Sequence, residues 1–260
     1  RLVRDWSSDV CSSDLIRQDV PEPAGSQRTC VVLVRPENDG NIGAVARVMA
    51  NFGVSDLRVV GRDVAWSEET RNRAKHAQWV LEGANTFDSI GDAASDCSLV
   101  VGTSGMRESG AKTVFRHFLH PEDLPSRVRD MDSRVALVFG PEGNGLLNEE
   151  LNMCDLLVSV PTWEGYPILN LSHAVAIILY EWYKVVDSEP VTDSWLSPGV
   201  RARLKEEISR LAQTMPTPEH RRQGIEETLS RVMLRGLPSD DEAQRILGVI
   251  STAANAFEQE

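Results

Sequence analysis

Five short runs rich in β-branched and other apolar residues constrain this chain more than any other feature. They are CVVLV (30–34), DLRVVG (56–61), SLVVGT (98–103), RVALVFG (134–140) and DLLVSVP (155–161). A strand with one wet face alternates apolar and polar residues, whereas a near-continuous apolar run needs cover on both faces. Segments of helical spacing lie between the runs: IGAVARVMANFG (42–53), about 68–82, about 89–94, PEDLPSRVRDM (121–131) and LNLSHAVAIILYEWYKVV (169–186). The alternation predicts an α/β fold, a mostly parallel sheet with helices on both faces.

The ends read differently. RLVRDWSSDVCSSDL (1–15) repeats Ser-Ser-Asp, has no apolar period and lacks the h-region of a signal peptide. DVCSSDL is also what a common sequencing-library adapter encodes, so these residues are excluded from the fold. Residues 16–27 read as a disordered lead-in, which sets 1–27 apart from a main unit at 28–187. The polar, Pro-containing DSEPVTDSW then marks a linker at 188–197. Residues 198–260 carry no strand pattern. Helices are predicted at 198–214, 217–235 and 239–257, broken at MPTP and RGLPSDD, as a small all-helical C-terminal appendage.

No apolar run approaches the ~20 residues that cross a bilayer, so no membrane partner is expected. The four cysteines, Cys11, Cys30, Cys97 and Cys154, form no C-x-x-C pair and have no His at ligand spacing. They read as small buried hydrophobes in a reducing cytosol, which predicts no metal and a cytoplasmic location.

The formal net charge of −12 argues at first sight against a nucleic-acid partner. It is unevenly spread. Residues 135–194 hold nine acidic side chains against Lys184 alone, whereas residues 28–134 hold 14 basic and 15 acidic ones. Arg58, Arg62, Arg71, Arg73 and Lys75 form one basic cluster, and Arg107, Lys112 and Arg116 another. Taken alone, such clusters read as solvated faces.

In parallel sheets, ligands gather at the carboxyl ends of strands, which directs attention to the loops there. After the first run come Asn38-Asp39-Gly40-Asn41, with Asn41 placed to cap the next helix, and then Arg47 nearly two turns into it. Gly102-Thr103-Ser104-Gly105 follows the third run, and Gly140-Pro141-Glu142-Gly143-Asn144-Gly145 the fourth. After the fifth come Val160, Pro161 and Thr162, then Tyr166-Pro167-Ile168-Leu169-Asn170, with His173 just inside the helix. For His173 a core or capping role outweighs catalysis. No G-x-G-x-x-G follows the first run, and there is no P-loop or G-x-S-x-G, which disfavours a nicotinamide-dependent oxidoreductase and a Ser hydrolase.

Taken in order, N-x-G-N-I-G-A-V-A-R, L-V-F-G-P-E-G-N-G-L and V-P-T-x-x-x-Y-P-I-L-N-L-S-x-A resemble the three motifs of the SPOUT RNA methyltransferases. Within these the chain is most similar to the TrmJ branch of the TrmH-like ribose 2′-O-methyltransferases. LSRVMLRGLPSDDEAQRILGVI (229–250) resembles the tail of the same branch. The resemblance implies a trefoil knot near the end of the main unit, S-adenosylmethionine as cofactor, a homodimer and a tRNA substrate. It places cofactor contacts at Thr103, Ser104, Gly105, Gly140, Val160, Ile168 and Leu169, and the active site at Asn41, Arg47, Glu142 and Asn170. RNA contacts would come from Arg47, Arg58, Arg107, Lys112 and Arg116. Ile168 departs from the family pattern, where many relatives carry Ser, so a side-chain hydroxyl role is lost there.

The implied reaction is 2′-O-methylation at nucleotide 32 of the anticodon loop, on C or U. Methylation of rRNA or another tRNA position stays open, as does an RNA-binding protein without turnover. A ribose hydroxyl is a poor nucleophile, so alignment and removal of its proton are the enzyme's tasks. The resemblance gives Arg47 the proton-accepting role. A guanidinium is a reluctant base, so positioning a phosphate beside the 2′-hydroxyl is equally plausible, and Arg47 is expected chiefly to orient the RNA backbone.

Overall fold

The computed structural model describes residues 20–23, 25–63, 65–105, 118–128, 134–186, 196–236 and 238–259. The five apolar runs become the strands β1 (Thr29–Val34), β2 (Asp56–Val60), β4 (Leu99–Thr103), β6 (Val135–Phe139) and β7 (Leu156–Val158). Two short strands, β3 (Asn85–Phe87) and β5 (Phe118–Leu119), lie at the two sheet edges. They were not foreseen because three and two partly exposed residues leave no apolar run to read. The sheet order is β3-β2-β1-β6-β4-β7-β5, and every adjacent pair is parallel.

Side chains alternate across this sheet as the two-residue period of a strand requires. Val31 and Leu33 of β1 join one core with Leu57, Val101 and Leu137; Cys30, Val32 and Val34 join the other with Val100, Ala136 and Val138. The first core is covered by α1 (Asp39–Asn51), α2 (Glu68–Ala74), α3 (Gln78–Glu82), α5 (Asp123–Val128) and α7 (Leu171–Val186). The second is covered by α4 (Ile90–Ala93) and α6 (Asn148–Met153). Helices on both faces are therefore borne out. On α7, Leu171, Val175, Ile178, Leu179 and Trp182 recur at helical spacing and face the sheet.

Two helical readings need correction. The single stretch at 68–82 is two helices separated by a 3₁₀ turn at Lys75–Ala77, where Lys75 has φ +53°. The short α6, directly behind the Gly-rich loop, was missed.

At the N-terminal side, Ser26 is buried in a 3₁₀ turn, Ser26–Arg28, and its hydroxyl donates to Pro23 O at 2.7 Å. Packing thus begins before residue 28, inside the expected lead-in; residues 1–19 lie outside the described residues. Of the expected linker, 188–195 is outside them too, while Leu196 is buried and Ser197 caps the next helix.

The tail forms α8 (Pro198–Thr214), α9 (Glu219–Arg235) and α10 (Asp240–Glu258). Leu204, Ile208, Leu234, Leu247 and Ile250 give these helices a core of their own. A buried ion pair fixes α8 to the sheet. Asp155, fully buried just before β7, accepts from Val100 N at 2.8 Å and Arg201 Nε at 2.7 Å, with Lys205 Nζ 2.9 Å away. No helix among the described residues is long and apolar enough to cross a membrane.

Candidate active site

The strand order brings the chemistry-bearing loops together. β6 lies between β1 and β4, and β7 lies beyond β4, so the carboxyl ends of β1, β6, β4 and β7 are neighbours. Their loops converge at one end of the sheet, as at a topological switch point.

Between them is a cavity of about 280 Å³. All seven residues assigned to cofactor line it: Thr103, Ser104, Gly105, Gly140, Val160, Ile168 and Leu169. The Thr103 hydroxyl donates to Val138 O at 3.0 Å, and Ser104 N donates to Val158 O at 3.1 Å, which ties the β4 end to both flanking strands. The 140–147 loop folds tightly on itself. A Cβ on Gly140 would sit 2.2 Å from Leu146 N, and Gly145 has φ +65°. Only glycine fits the first position, and the second favours it strongly. Among the described lining residues there is no Lys or Arg, and Glu142 is the one carboxylate.

Three of the four residues expected in the active site form a continuous hydrogen-bonded chain beside this cavity. Asn41 Nδ2 donates to Glu142 Oε1 at 2.9 Å, and Asn170 Nδ2 donates to Asn41 Oδ1 at 2.7 Å. Asn170 Oδ1 in turn accepts from Ser172 N at 2.9 Å and Ser172 Oγ at 2.7 Å, capping α7. Because an ionised carboxylate can only accept, the orientation of both amides follows from Glu142. The capping role expected of Asn41 belongs to Asn38, whose side chain accepts from Asn41 N at 3.0 Å. Asn41 sits inside the first turn, and that frees its amide to bridge Glu142 and Asn170.

Glu142 also accepts from two backbone donors, Glu37 N at 3.0 Å and Asn38 N at 3.2 Å. Burial opposes its ionisation, yet the bonds from Asn41 and these N–H groups outweigh it. The carboxyl is held below the usual carboxylate range. These backbone donors were missed in the sequence, since any residue type supplies an N–H.

The other assignments scatter. Arg47 is exposed and lines a shallow surface depression with Glu68, Glu69, Asn72, Arg73 and Lys75. Six residues along a helix turn its side chain roughly 120° from Asn41 and about 9 Å onward, so the two side chains leave α1 on different faces. Arg58 needs correction as an RNA contact. It is 6% exposed, and its guanidinium is engaged by Asp56 at 2.7 Å, Asp96 at 2.9 Å and Ala93 O at 2.6 Å. Asp56, Asp96 and Arg134 stand at the amino ends of β2, β4 and β6, away from the cavity. Arg107, Lys112 and Arg116 lie outside the described residues. His173 is exposed, not in the core.

Residues 28–180 match the SpoU rRNA Methylase family. The chain belongs to the SpoU rRNA methylase family. The likeness to SPOUT methyltransferases of the TrmJ kind, carried by the three loop motifs, is borne out. This SpoU family member is 36% identical over 225 residues to the tRNA (cytidine-2′-O-)-methyltransferase TrmJ of Methanocaldococcus jannaschii, covering 84% of this chain and 96% of that one. It is 30% identical over 237 residues to the tRNA (cytidine/uridine-2′-O-)-methyltransferase TrmJ of Citrobacter koseri, covering 87% and 96%. The crystal structure of TrmJ from Z. mobilis ZM4 superposes with a TM-score of 0.71 at 27% identity, covering 86% of this chain and 98% of that one. Family and relatives place the chain among RNA 2′-O-methyltransferases.

Proposed function

We propose that this chain methylates the ribose 2′-hydroxyl of a tRNA, at nucleotide 32 of the anticodon loop on C or U, with S-adenosylmethionine as donor. The observation that carries the reading is the cavity at the strand ends, lined by all seven expected cofactor residues and flanked by the Glu142–Asn41–Asn170 chain. Its chemistry fits a cationic sulfonium better than a dinucleotide. The described lining offers one carboxylate and no cation to hold a pyrophosphate. Bound there, S-adenosylmethionine would supply an electrophilic methyl group. Gly140 lets the 140–147 loop fold back on itself to form part of the wall, and Thr103, Ser104 and Gly105 line the same cavity.

The chain's own residues hold the site in place. Glu142 stays ionised and fixes Asn41, which fixes Asn170 at the start of α7. Arg47, with Arg73 and Lys75 beside it, presents cations to RNA phosphates, and Arg107, Lys112 and Arg116 are kept as further contacts. The reading extends to a trefoil knot in the 135–186 region, supported by β6 lying between β1 and β4 and β7 between β4 and β5, flanking strands that all come earlier in the chain. It also extends to a homodimer. What supports the dimer is exposed aromatic surface on the β7–α7 loop and on α7: Trp163 and Tyr166 are each 79% exposed and Tyr180 52%.

Titration calorimetry tests the cofactor. S-adenosylmethionine should bind the wild-type chain and fail to bind Gly140→Ala, and NAD should bind neither. Binding of NAD without S-adenosylmethionine would sink the reading.

A further inference from the structure

We propose that Arg62 is a positioning residue of the methyl-transfer site, acting on Glu142 through two peptide planes of the turn after β1; this rests on the reading of the site given above. Arg62 Nη1 donates to Pro36 O at 3.0 Å and, more weakly, to Glu37 O at 3.5 Å. Those two carbonyls belong to the same peptide groups as Glu37 N and Asn38 N, the two backbone donors to Glu142. A trans peptide is planar, and its C=O and N–H point in opposite directions. Fixing the oxygen therefore aims the N–H. Arg62 grips one side of the turn, and the other side is left presenting its two N–H groups to the carboxylate.

The grip itself is anchored. Arg62 Nη2 is paired with Asp39 in the first turn of α1, so one guanidinium spans the turn and the helix that follows it. The planar fork suits this task, since it directs separate N–H groups at a carboxylate and at carbonyls. Donation to a carbonyl also polarises its peptide and strengthens the N–H on the far side. On the opposite flank, Arg35 is paired with Glu150, whose Oε2 accepts from Leu147 N at 2.8 Å, holding the 140–147 loop against the same turn. The basic cluster read in the sequence thus contains, in Arg62, a cation with its donors turned inward.

The test combines turnover with a readout that needs no substrate. Charged neighbours of Glu142 among the described residues include Glu37, beside Gly143, the Arg62–Asp39 pair and the Arg35–Glu150 pair. The carboxyl carbon of Glu142 is followed by ¹³C NMR against pH, with Glu142→Gln identifying the resonance. Arg62→Met is expected to raise its titration midpoint by about one unit as the N–H groups lose their aim. In tRNA methylation the same variant should lower kcat roughly 10- to 100-fold, leave KM for tRNA within about twofold and leave the salt dependence of RNA binding unchanged. Arg62→Lys should recover part of both effects. Asp39→Asn, which loosens the anchor and keeps the turn, should move the Glu142 midpoint in the same direction if Arg62→Met proves too unstable to measure. An unmoved midpoint overturns the proposal. So does a normal kcat with a raised KM for tRNA and a salt slope reduced by about one, the signature of a phosphate contact. If the wild-type chain transfers no methyl group, the functional reading fails, and the NMR titration still decides the part played by Arg62.

Discussion

Glu142 is where the account is most exposed at the scale of single residues. Its carboxylate accepts three hydrogen bonds, from Asn41 Nδ2 and the N–H groups of Glu37 and Asn38. Glu142→Gln turns an amide N–H₂ toward donors and is expected to lower kcat by about 10²-fold, with cofactor binding retained in calorimetry. Its hydrogen bonds hold the carboxyl below its ordinary range, so activity should show no Glu142-dependent fall until the pH drops beneath the range in which a free carboxyl takes up its proton. Arg47→Lys is expected to reduce turnover or RNA affinity by about tenfold, because an ammonium cannot reproduce a planar fork on phosphate. Near-wild-type values in both would end that role for Arg47. Asn41, Glu142 and Asn170 could be singled out because each follows a strand run, Asn41 in the first turn of the next helix and the other two in loops. Arg58 was misread, although its setting between Leu57 and Val59 in an apolar run carried the signal of burial. Arg62 carried no such signal, since nothing in a sequence says which carbonyls a side chain will reach.

At the scale of elements, two contacts decide whether the loops are presented correctly. α1 crosses α2 so closely that a Cβ on Gly43 would stand 2.2 Å from Thr70 O and 2.8 Å from Arg73 Cβ. Gly43→Ala is expected to destabilise the chain by about 1–3 kcal/mol, measured by chemical denaturation, and to disturb the Asn38–Asn41 turn along with it. The second contact is the ion pair of Asp155 with Arg201 and Lys205, which joins β7 to α8. Asp155→Asn leaves a buried Arg without its counter-charge and should cost about 3–5 kcal/mol. Three tail helices and the five central strands were readable to within a few residues because each has a strong period and caps or breakers at its ends. The edge strands β3 and β5 were not, being held by backbone pairing to a neighbour and not by side chains that leave a pattern. The break at Lys75 was hidden for a related reason: a left-handed φ at a Lys is imposed by packing, not by propensity.

For the whole molecule, the net charge of −12 says little about RNA. The net negative charge concentrates in 135–194, where Lys184 is the one Lys or Arg, while Arg47, Arg73 and Lys75 share one exposed surface. Charge matters more for stability. Asp96 is held far below the usual carboxylate range by its bond to Arg58, with Arg134 adding to it. A carboxyl depressed on folding adds stability above its unfolded pKa of about 3.9, and that stability is lost as pH falls below it toward the folded value. Acid unfolding should therefore steepen below about pH 4, and Asp96→Asn should flatten it. The sheet order gathers distant loops into one cavity, and that assembly is the basis for reading this chain as a tRNA ribose methyltransferase. The most direct test uses S-adenosylmethionine with a labelled methyl group and bulk tRNA, followed by mapping of nuclease-resistant dinucleotides. Label is expected on a ribose 2′-oxygen at nucleotide 32 of the anticodon loop, incorporated about 10²-fold more slowly in Glu142→Gln. Label on rRNA alone, or none on any tRNA ribose, would contradict it.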